Sequence, residues 1–254
     1  MNYYGLSDTG KVRKNNQDCF GCYQLAQNTF LFAVCDGMGG CAGGEIACAL
    51  ALEAFAFEMK RLCVPNTASG TIALTGKETE IILSSAVSFA NSKVVSAAVE
   101  NRELEGMGTT MVATLVFTDE SSLYTLNVGD SRIYKITETE IEQLTSDHSY
   151  VQYLVDIGKM TPEEAEISPE KNKILKSIGS SSYLKADITS YEYSKDNKEY
   201  ILLCSDGLTN MVQNSAIQSL VTSELTVKEK VEYLISLANQ NGGTDNITVI
   251  LAQL

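Results

Sequence analysis

Two segments of the chain combine a continuous hydrophobic run with an aspartate and a glycine. They are FLFAVCDG at residues 30–37 and YILLCSDG at residues 200–207. A short apolar run of this length is typical of a buried strand. Each segment therefore predicts a core strand that ends in a carboxylate, at Asp36 and at Asp206, followed by a glycine that permits a tight bend.

Three further aspartates occupy similar positions. Asp18 in NNQDCF and Asp245 in GGTDNITV precede strand-like runs, and Asp130 in NVGDSR follows one. A single aspartate at the end of a strand is most often a turn residue. The same placement for five aspartates favours a shared function, and we treat the five as candidates for one site.

The chemistry of such a site follows from charge repulsion. Two like charges roughly 4 Å apart repel each other by about 4 kcal/mol at an effective dielectric of about 20, so converging carboxylates must take up protons or bind cations. Oxygen ligands select the hard cations Mg²⁺, Mn²⁺ and Ca²⁺. The chain has one histidine, His148, which excludes a histidine-rich zinc or iron centre. Gly37 could turn its carbonyl toward a cation held by Asp36.

The remaining pattern mixes helices with locally paired strands. Residues 44–60 and 77–101 predict long helices, and TPEEAE predicts a short helix capped by Thr161 with Pro162 in its first turn. Residues 109–145 contain four strand-like runs separated by tight turns, which predicts an antiparallel meander. Blocks of helices and blocks of strands favour an α+β layered fold over a doubly wound parallel sheet.

Composition narrows the class of protein. The chain has 254 residues, 44% of them hydrophobic, which suits one domain over residues 1–254. Its net charge of −13 disfavours nucleic-acid binding. We find no run near the roughly 20 apolar residues of a membrane span and no signal pattern, so we expect a soluble cytoplasmic protein, no membrane association and a monomer. The CxxC of Cys19 and Cys22 lacks a second ligand pair, and we expect free thiols.

A competing motif overlaps the first aspartate. Residues 37–42 formally match the dinucleotide fingerprint GxGxxA between a strand and a helix. Asp36 would then face a pyrophosphate, and no strand with a terminal acidic residue follows about 20 positions later. We therefore place the nucleotide-binding reading well behind the cation-binding one.

The motifs together resemble those of a known family. In chain order they are GKVRKNNQDCF, FAVCDGMGGCAGGEIA, GMGTTMVATLV, LNVGDSRIY, LTSDHS, LLCSDGLTNMV and GGTDNITVI. This set resembles the 2C-type metal-dependent serine/threonine protein phosphatases, in the order typical of that family, and looks most like the small stand-alone bacterial members. The likeness runs from about Ser7 to the end of the chain.

The resemblance implies a fold and an activity. The fold would be a four-layer αββα sandwich of two antiparallel sheets packed face to face with helices outside. The activity would be hydrolysis of phosphoserine and phosphothreonine in proteins by a metal-activated water at a centre of Mn²⁺ or Mg²⁺, with two ions and a third, weaker site. Its partners would be phosphorylated proteins, and its role to oppose bacterial serine/threonine kinases.

The resemblance also implies roles for single residues. Asp36 would bridge two metal ions, Gly37 would bind through its carbonyl, and Asp206 and Asp245 would hold the first ion. Asp18 would hold the second ion directly or through water, and Asp130 with Asp206 would form the third site. Arg13 would bind the substrate phosphate, for which its planar, permanently charged fork is suited.

The chain departs from the family pattern at several positions. Some relatives carry a histidine as general acid where this chain has Met38, and many bacterial relatives carry one where it has Cys41; Gln17 stands where some have glutamate. We expect His148 to be a local cap or a buried hydrogen-bonding residue. Cys35 and Cys41 beside the predicted site raise a redox hypothesis that ranks behind a structural role.

A flap is expected over residues 158–181. Its lysines, at positions 171, 173 and 176, stand where relatives often have arginine. They are interpreted either as part of a solvated helix face or as an aid to binding a phosphorylated partner.

Three alternatives to a phosphatase stay open at this point. They are a non-catalytic binding module on the same scaffold, a structural calcium protein and a nucleotide-dependent oxidoreductase. The binding module would require lost ligand positions, whereas all six predicted side chains of the site are present.

Overall fold

A computed structural model of the chain describes residues 1–39, 43–195 and 198–254. Its strands are β1 (Asn2–Asp8), β2 (Asp18–Ala26), β3 (Thr29–Met38), β4 (Gly108–Thr109), β5 (Met111–Phe117), β6 (Ser122–Val128), β7 (Arg132–Ile136), β8 (Ile141–Gln143), β9 (Asp187–Glu192), β10 (Tyr200–Cys204) and β11 (Ile247–Gln253). Its helices are α1 (Gly43–Leu62), α2 (Gly76–Glu100), α3 (Tyr150–Asp156), α4 (Pro162–Ile167), α5 (Asp206–Thr209), α6 (Asn214–Val221) and α7 (Val227–Gln240), with a 3-10 turn at Arg102–Leu104.

The strands form two antiparallel sheets. One sheet has the order β1-β11-β10-β7-β8, and the other has the order β2-β3-β5-β6-β9, with β4 paired to the end of β3. Hydrophobic side chains fill three layers: between the second sheet and the α1–α2 pair, between the two sheets, and between the first sheet and α6–α7. This arrangement confirms the predicted α+β, four-layer αββα sandwich.

The predicted meander is wrong in its connectivity. The hairpin β5–β6 belongs to one sheet and the hairpin β7–β8 to the other. The chain crosses between the sheets at Gly129, whose φ of +111° a residue with a side chain rarely adopts. Strand-like runs separated by tight turns stand on both sides of Gly129, so the sequence pattern does not reveal the change of sheet.

Helix starts follow the predicted chemistry. Thr161 accepts a hydrogen bond from the backbone of Glu164, whose carboxylate in turn accepts the N–H of Thr161, and Pro162 opens the helix. The cap at Thr161 and Pro162 in the first turn were predicted, and capping boxes at Thr75 and Thr226 also start α2 and α7. The sequence analysis did not anticipate β9, α3 or α6.

Helix α2 is a further difference from the sequence analysis. Among the described residues, α2 is long and apolar enough to cross a membrane by length and composition alone. It packs instead against α1 and contributes Leu83, Val87 and Val94 to the outer hydrophobic layer. A core helix of this kind satisfies the same criterion, so α2 is weak support for a span.

The two cysteines of the CxxC motif are not placed to bind one metal ion or to form a disulfide with each other. Cys19 and Cys22 lie three positions apart on β2, so their side chains point to opposite faces of the sheet. All six cysteines among the described residues are free thiols, as predicted, and Cys41 lies outside the described residues.

Candidate metal centre and active site

The five predicted aspartates lie at one end of the two sheets. Asp18 and Asp36 are direct partners in the register between β2 and β3. Asp36 is fixed on its other side by Thr110, whose hydroxyl accepts the Asp36 N–H (3.0 Å) and whose N–H donates to the Asp36 carbonyl (2.9 Å). Asp206 opens α5 directly after β10, Asp245 precedes β11, and Asp130 follows β6.

Asp36 is the electrostatic centre of this group. Burial raises the pKa of Asp36 well above its ordinary value, and the charges of the other four aspartates, with Asp18 first, raise it further. Burial, and then the charge of Asp245, raises the pKa of Asp206, while a hydrogen bond with Asp36 opposes the rise. The cluster therefore carries a charge repulsion that a bound cation would relieve.

Asp18 is held rigidly but keeps one oxygen without a partner. Its Oδ2 accepts hydrogen bonds from the hydroxyls of Ser205 and Thr248, each at 2.7 Å. Its Oδ1 is buried and has no hydrogen-bond partner. Burial raises the pKa of Asp18 to about 7, although the two hydroxyl bonds oppose the rise.

Asp206 shows the same asymmetry. Its Oδ2 accepts a hydrogen bond from Asn210 Nδ2 at 3.0 Å, and its Oδ1 is buried without a hydrogen-bond partner. Buried carboxylate oxygens are normally hydrogen-bonded, and an exception calls for an explanation such as an ion. The unpartnered oxygens of Asp18 and Asp206 thus fit divalent cations, for which an all-oxygen donor set is suited.

Gly37 stands where a side chain has no room. A Cβ at this position would lie 2.1 Å from the carbonyl oxygen of Gly44 and 2.6 Å from that of Gln17, both backbone atoms. The Gly37 N–H also donates to the Gln17 carbonyl (3.0 Å). The start of α1 therefore closes directly on the strand end that carries Asp36.

Asp130 lies in a turn supported by the only histidine of the chain. Burial, followed by the charge of Asp206, raises the pKa of Asp130 to about 7. The N–H of the preceding residue, Gly129, donates to His148 Nδ1 at 3.0 Å. His148 Nε2 lies 3.2 Å from Asp187 Oδ2, and burial lowers the pKa of the imidazole. His148 is thus the hydrogen-bonding residue that was predicted, and it is partly rather than fully buried.

Arg13 contacts the cluster through one member. Its Nη2 donates to Asp245 Oδ2 at 2.8 Å, and the two side chains are 52% and 31% exposed. Asp245 Oδ1 accepts the N–H of Asn246 at 2.9 Å. Within the described ranges, no three His, Cys, Asp or Glu side chains are arranged to hold one metal ion as they stand.

Several supporting residues were missed by the sequence analysis. Ser205, Thr110 and Thr248 orient Asp18 and Asp36, and Asn246 ties three loops together by accepting the Gln17 N–H and donating to the carbonyls of Thr9 and Asn15. Ser205 and Asn246 are direct neighbours of predicted aspartates, and Thr110 and Thr248 lie within quoted motifs. A search for hydroxyl and amide residues beside each aspartate would have found Ser205 and Asn246, whereas Thr110 and Thr248 reach the site only through strand pairing.

The three lysines of the predicted flap differ in their surroundings: two form ion pairs and one lines a cavity. Lys176 is paired with Asp187 at 2.8 Å, and Lys173 forms an ion pair with Glu170. Lys171 lines the cavity that contains Asp130 and Asp206. The redox hypothesis rested on Cys35, which is fully buried, and on Cys41, which lies outside the described residues.

Comparison with known proteins identifies the family. The model of the family Protein phosphatase 2C matches residues 10–252. The serine/threonine phosphatase stp of Listeria monocytogenes is 34% identical over 247 residues, which are 97% of this chain and 93% of that protein. The crystal structure of the serine/threonine phosphatase Stp1 from Staphylococcus aureus is similar with a TM-score of 0.87 and 36% identity, over 99% of this chain and 94% of that one.

A third comparison bears on the metal. The catalytic domain of the serine/threonine protein phosphatase PstP, solved in complex with two manganese ions, is similar with a TM-score of 0.80 and 34% identity, over 99% of this chain and 96% of that one. The fold is that of the metal-dependent phosphatases of the PPM type. The chain belongs to the protein phosphatase 2C family and is a serine/threonine phosphatase of the bacterial type.

Proposed function

We propose that residues 1–254 form one catalytic domain that hydrolyses phosphoserine and phosphothreonine in proteins with Mn²⁺ or Mg²⁺ bound by Asp18, Asp36, Gly37, Asp206 and Asp245, and a weaker third ion bound by Asp130 and Asp206. The observation that carries this proposal is the convergence of four carboxylates on Asp36 with buried oxygens of Asp18 and Asp206 left without partners. Without cations this arrangement is costly, because buried carboxylates so close together repel one another.

When bound, the divalent ions supply Lewis acidity that activates water and neutralises charge on the phosphate. The chain's own residues supply the rest. Asp36, Asp18 and Asp206 are fixed by strand register and by hydroxyl and amide bonds, so their oxygens are preorganised. Arg13, which is half exposed at the rim, exchanges Asp245 for the substrate phosphate, an exchange that its two-pronged guanidinium suits.

Proton donation to the leaving group does not involve the histidine. Both ring nitrogens of His148 are engaged, Nδ1 by the Gly129 N–H and Nε2 by Asp187. Met38, which occupies the position of a histidine in some relatives, has no ionisable group. We infer that a water molecule in the cleft delivers this proton. The acidic cluster would set the pKa of that water molecule.

The proposed partners, opposing enzymes and location follow from the class of serine/threonine phosphatase. Phosphorylated proteins are the proposed partners, serine/threonine kinases the proposed opposing enzymes, and the cytoplasm the proposed location of a monomeric enzyme. The relatives named above support the reaction class, and the acidic surface supports the proposal that nucleic acid is not a substrate.

The test is hydrolysis of a phosphothreonine peptide by the purified protein over a titration of Mn²⁺, with Mg²⁺ and Ca²⁺ in parallel and a chelated control. We expect phosphate release that requires Mn²⁺ or Mg²⁺ and stops on chelation. Cation binding without turnover, or turnover that survives chelation, would overturn the proposal.

A further inference from the structure

A groove leads away from the proposed metal centre. It has a volume of about 680 Å³, begins at Asp130 and Asp206, and runs between the α3–α4 region and the segment from Thr209 to Ser215. Clefts of about 300–1,000 Å³ are typical of ligand-binding sites. The groove continues well past the two carboxylates, so most of its lining is placed to meet parts of a substrate other than the phosphate group.

The charges along the groove cancel. Arg132 is paired with Asp147 through two nitrogens, with Nη2–Oδ2 at 2.7 Å and Nε–Oδ1 at 3.0 Å. Past this pair, Glu166 and Lys171 contribute one charge of each sign. Once cations compensate Asp130 and Asp206, the groove has no strong preference for an acidic or a basic substrate segment.

Amide side chains with free hydrogen-bonding groups line the groove beyond the carboxylates. Asn172 on the flap, together with Gln213 and Asn214 at the start of α6, makes no side-chain hydrogen bond within the described part of the chain. No side chain caps the first turn of α6 either, so N–H groups there are also available. An amide both donates and accepts, which matches the alternating N–H and C=O groups of an extended peptide.

The wall of the groove formed by α3 and α4 is apolar. Val151 and Val155 of α3 line it together with Ile167 at the end of α4. Ile167 is 85% exposed, more than any other exposed large hydrophobic side chain among the described residues. An apolar side chain of a bound peptide would remove this surface from water.

We propose that this groove binds the polypeptide segment next to the phosphorylated residue, through hydrogen bonds from its backbone to Asn172, Gln213 and Asn214 and through contact of an apolar side chain with Ile167. The inference rests on the proposed function and adds a substrate class to it: extended segments with an apolar residue near the phosphorylated one, accepted with little regard to net charge.

The test compares two substrates in the Mn²⁺-loaded enzyme. One is a nine-residue phosphothreonine peptide with leucine near the phosphothreonine, and the other is p-nitrophenyl phosphate, which cannot reach along the groove. The variant Asn172→Ala/Gln213→Ala removes one amide from each wall. Because a hydrogen bond contributes about 0.5–1.5 kcal/mol, we expect the ratio of kcat/KM for peptide to that for aryl phosphate to fall about tenfold, mostly through the peptide KM.

Controls separate this inference from the proposed function. Gln24→Ala removes an exposed amide on β2 outside the groove and should leave the ratio at its original value. Ile167→Ser should remove the preference for the leucine peptide over its serine counterpart, while peptides with flanking lysine or aspartate should differ by less than about threefold. An unchanged ratio in the double variant, or equal losses on both substrates, would overturn the groove inference. Failure of the unaltered enzyme to hydrolyse either substrate would overturn the proposed function itself.

Discussion

Arg13 Nη2 lies 2.8 Å from Asp245 Oδ2 and joins residues that are 232 positions apart in the chain. The sequence motifs assign these two side chains to different ligands, phosphate for Arg13 and a cation for Asp245. In the structure, the guanidinium of Arg13 and the carboxylate of Asp245 are paired with each other instead. Cation binding and phosphate binding are therefore expected to depend on the same ion pair.

Replacement of Arg13 by alanine should have opposite effects on the two ligands. It should raise KM for a phosphopeptide, because the phosphate loses its guanidinium partner, and it should tighten Mn²⁺ binding, because Asp245 is freed. The pair is partly exposed and is worth at most about 1 kcal/mol, so the gain in affinity should not exceed about fivefold. Calorimetric titration of metal-free protein with Mn²⁺ measures this, with Arg102→Ala as a control; weaker binding in Arg13→Ala would contradict the competition.

Asp206→Ala and Asp36→Ala should each abolish turnover, because each removes an oxygen donor shared between predicted ions. Both variants should remain folded, since each removes a carboxylate whose pKa is raised by burial and by neighbouring charges. Phosphate release and Mn²⁺ stoichiometry are the measurements, and Asp119→Ala on an exposed turn is the matched control. Near-normal activity in Asp206→Ala would show that the site is assigned wrongly.

The metal-free protein should lose stability as the pH rises from about 4 to about 7. Burial raises the pKa of Asp18 to about 7, so its carboxyl group stays protonated in the folded state over a range where the unfolded chain ionises, above about 3.9. The stabilising contribution of this group is fully present below that lower value and is lost as the pH passes the higher one. The loss can reach about 4 kcal/mol.

Asp18→Asn tests this relation because an amide cannot titrate, yet its oxygen can still accept the hydroxyl bonds of Ser205 and Thr248. In urea unfolding with chelator at pH 4.5, 6 and 7.5, the free energy of unfolding of the variant should rise relative to that of the original protein as the pH rises. Saturating Mn²⁺ should reverse the order at pH 7.5, since the original protein alone has the full site. Parallel stability curves would rule out Asp18 as the source of the pH dependence.

Gly37→Ala should destabilise the protein by about 1–3 kcal/mol and reduce activity, because the added Cβ would meet two backbone carbonyl oxygens. Relief of this clash would displace the start of α1 or the strand end that carries Asp36. Gly76→Ala is the control: the nearest atom to its Cβ is the Tyr124 hydroxyl at 3.0 Å, and the residue begins a helix. Thermal unfolding of both variants is the measurement. Equal unfolding temperatures for Gly37→Ala and Gly76→Ala would refute the argument.

Local features of this protein follow from short stretches of its sequence. Apolar runs that end in Asp-Gly placed strand ends at Asp36 and Asp206, and the Thr161 and Pro162 pattern placed the start of α4, because strand propensity, turn chemistry and helix capping depend on a few neighbouring residues. The motif order further indicated the family, and with it the four-layer fold that the structure shows.

Tertiary structure decided the relations between distant residues. It placed β5–β6 and β7–β8 in different sheets, although the sequence shows only strand-like runs separated by tight turns on both sides of Gly129. It left Asp18 Oδ1 and Asp206 Oδ1 without partners, paired Arg13 with Asp245, and opened the amide-lined groove beside the flap. These features depend on three-dimensional contacts between segments up to 232 residues apart, and burial there changes the energy of a charge, which no local pattern of residues can specify.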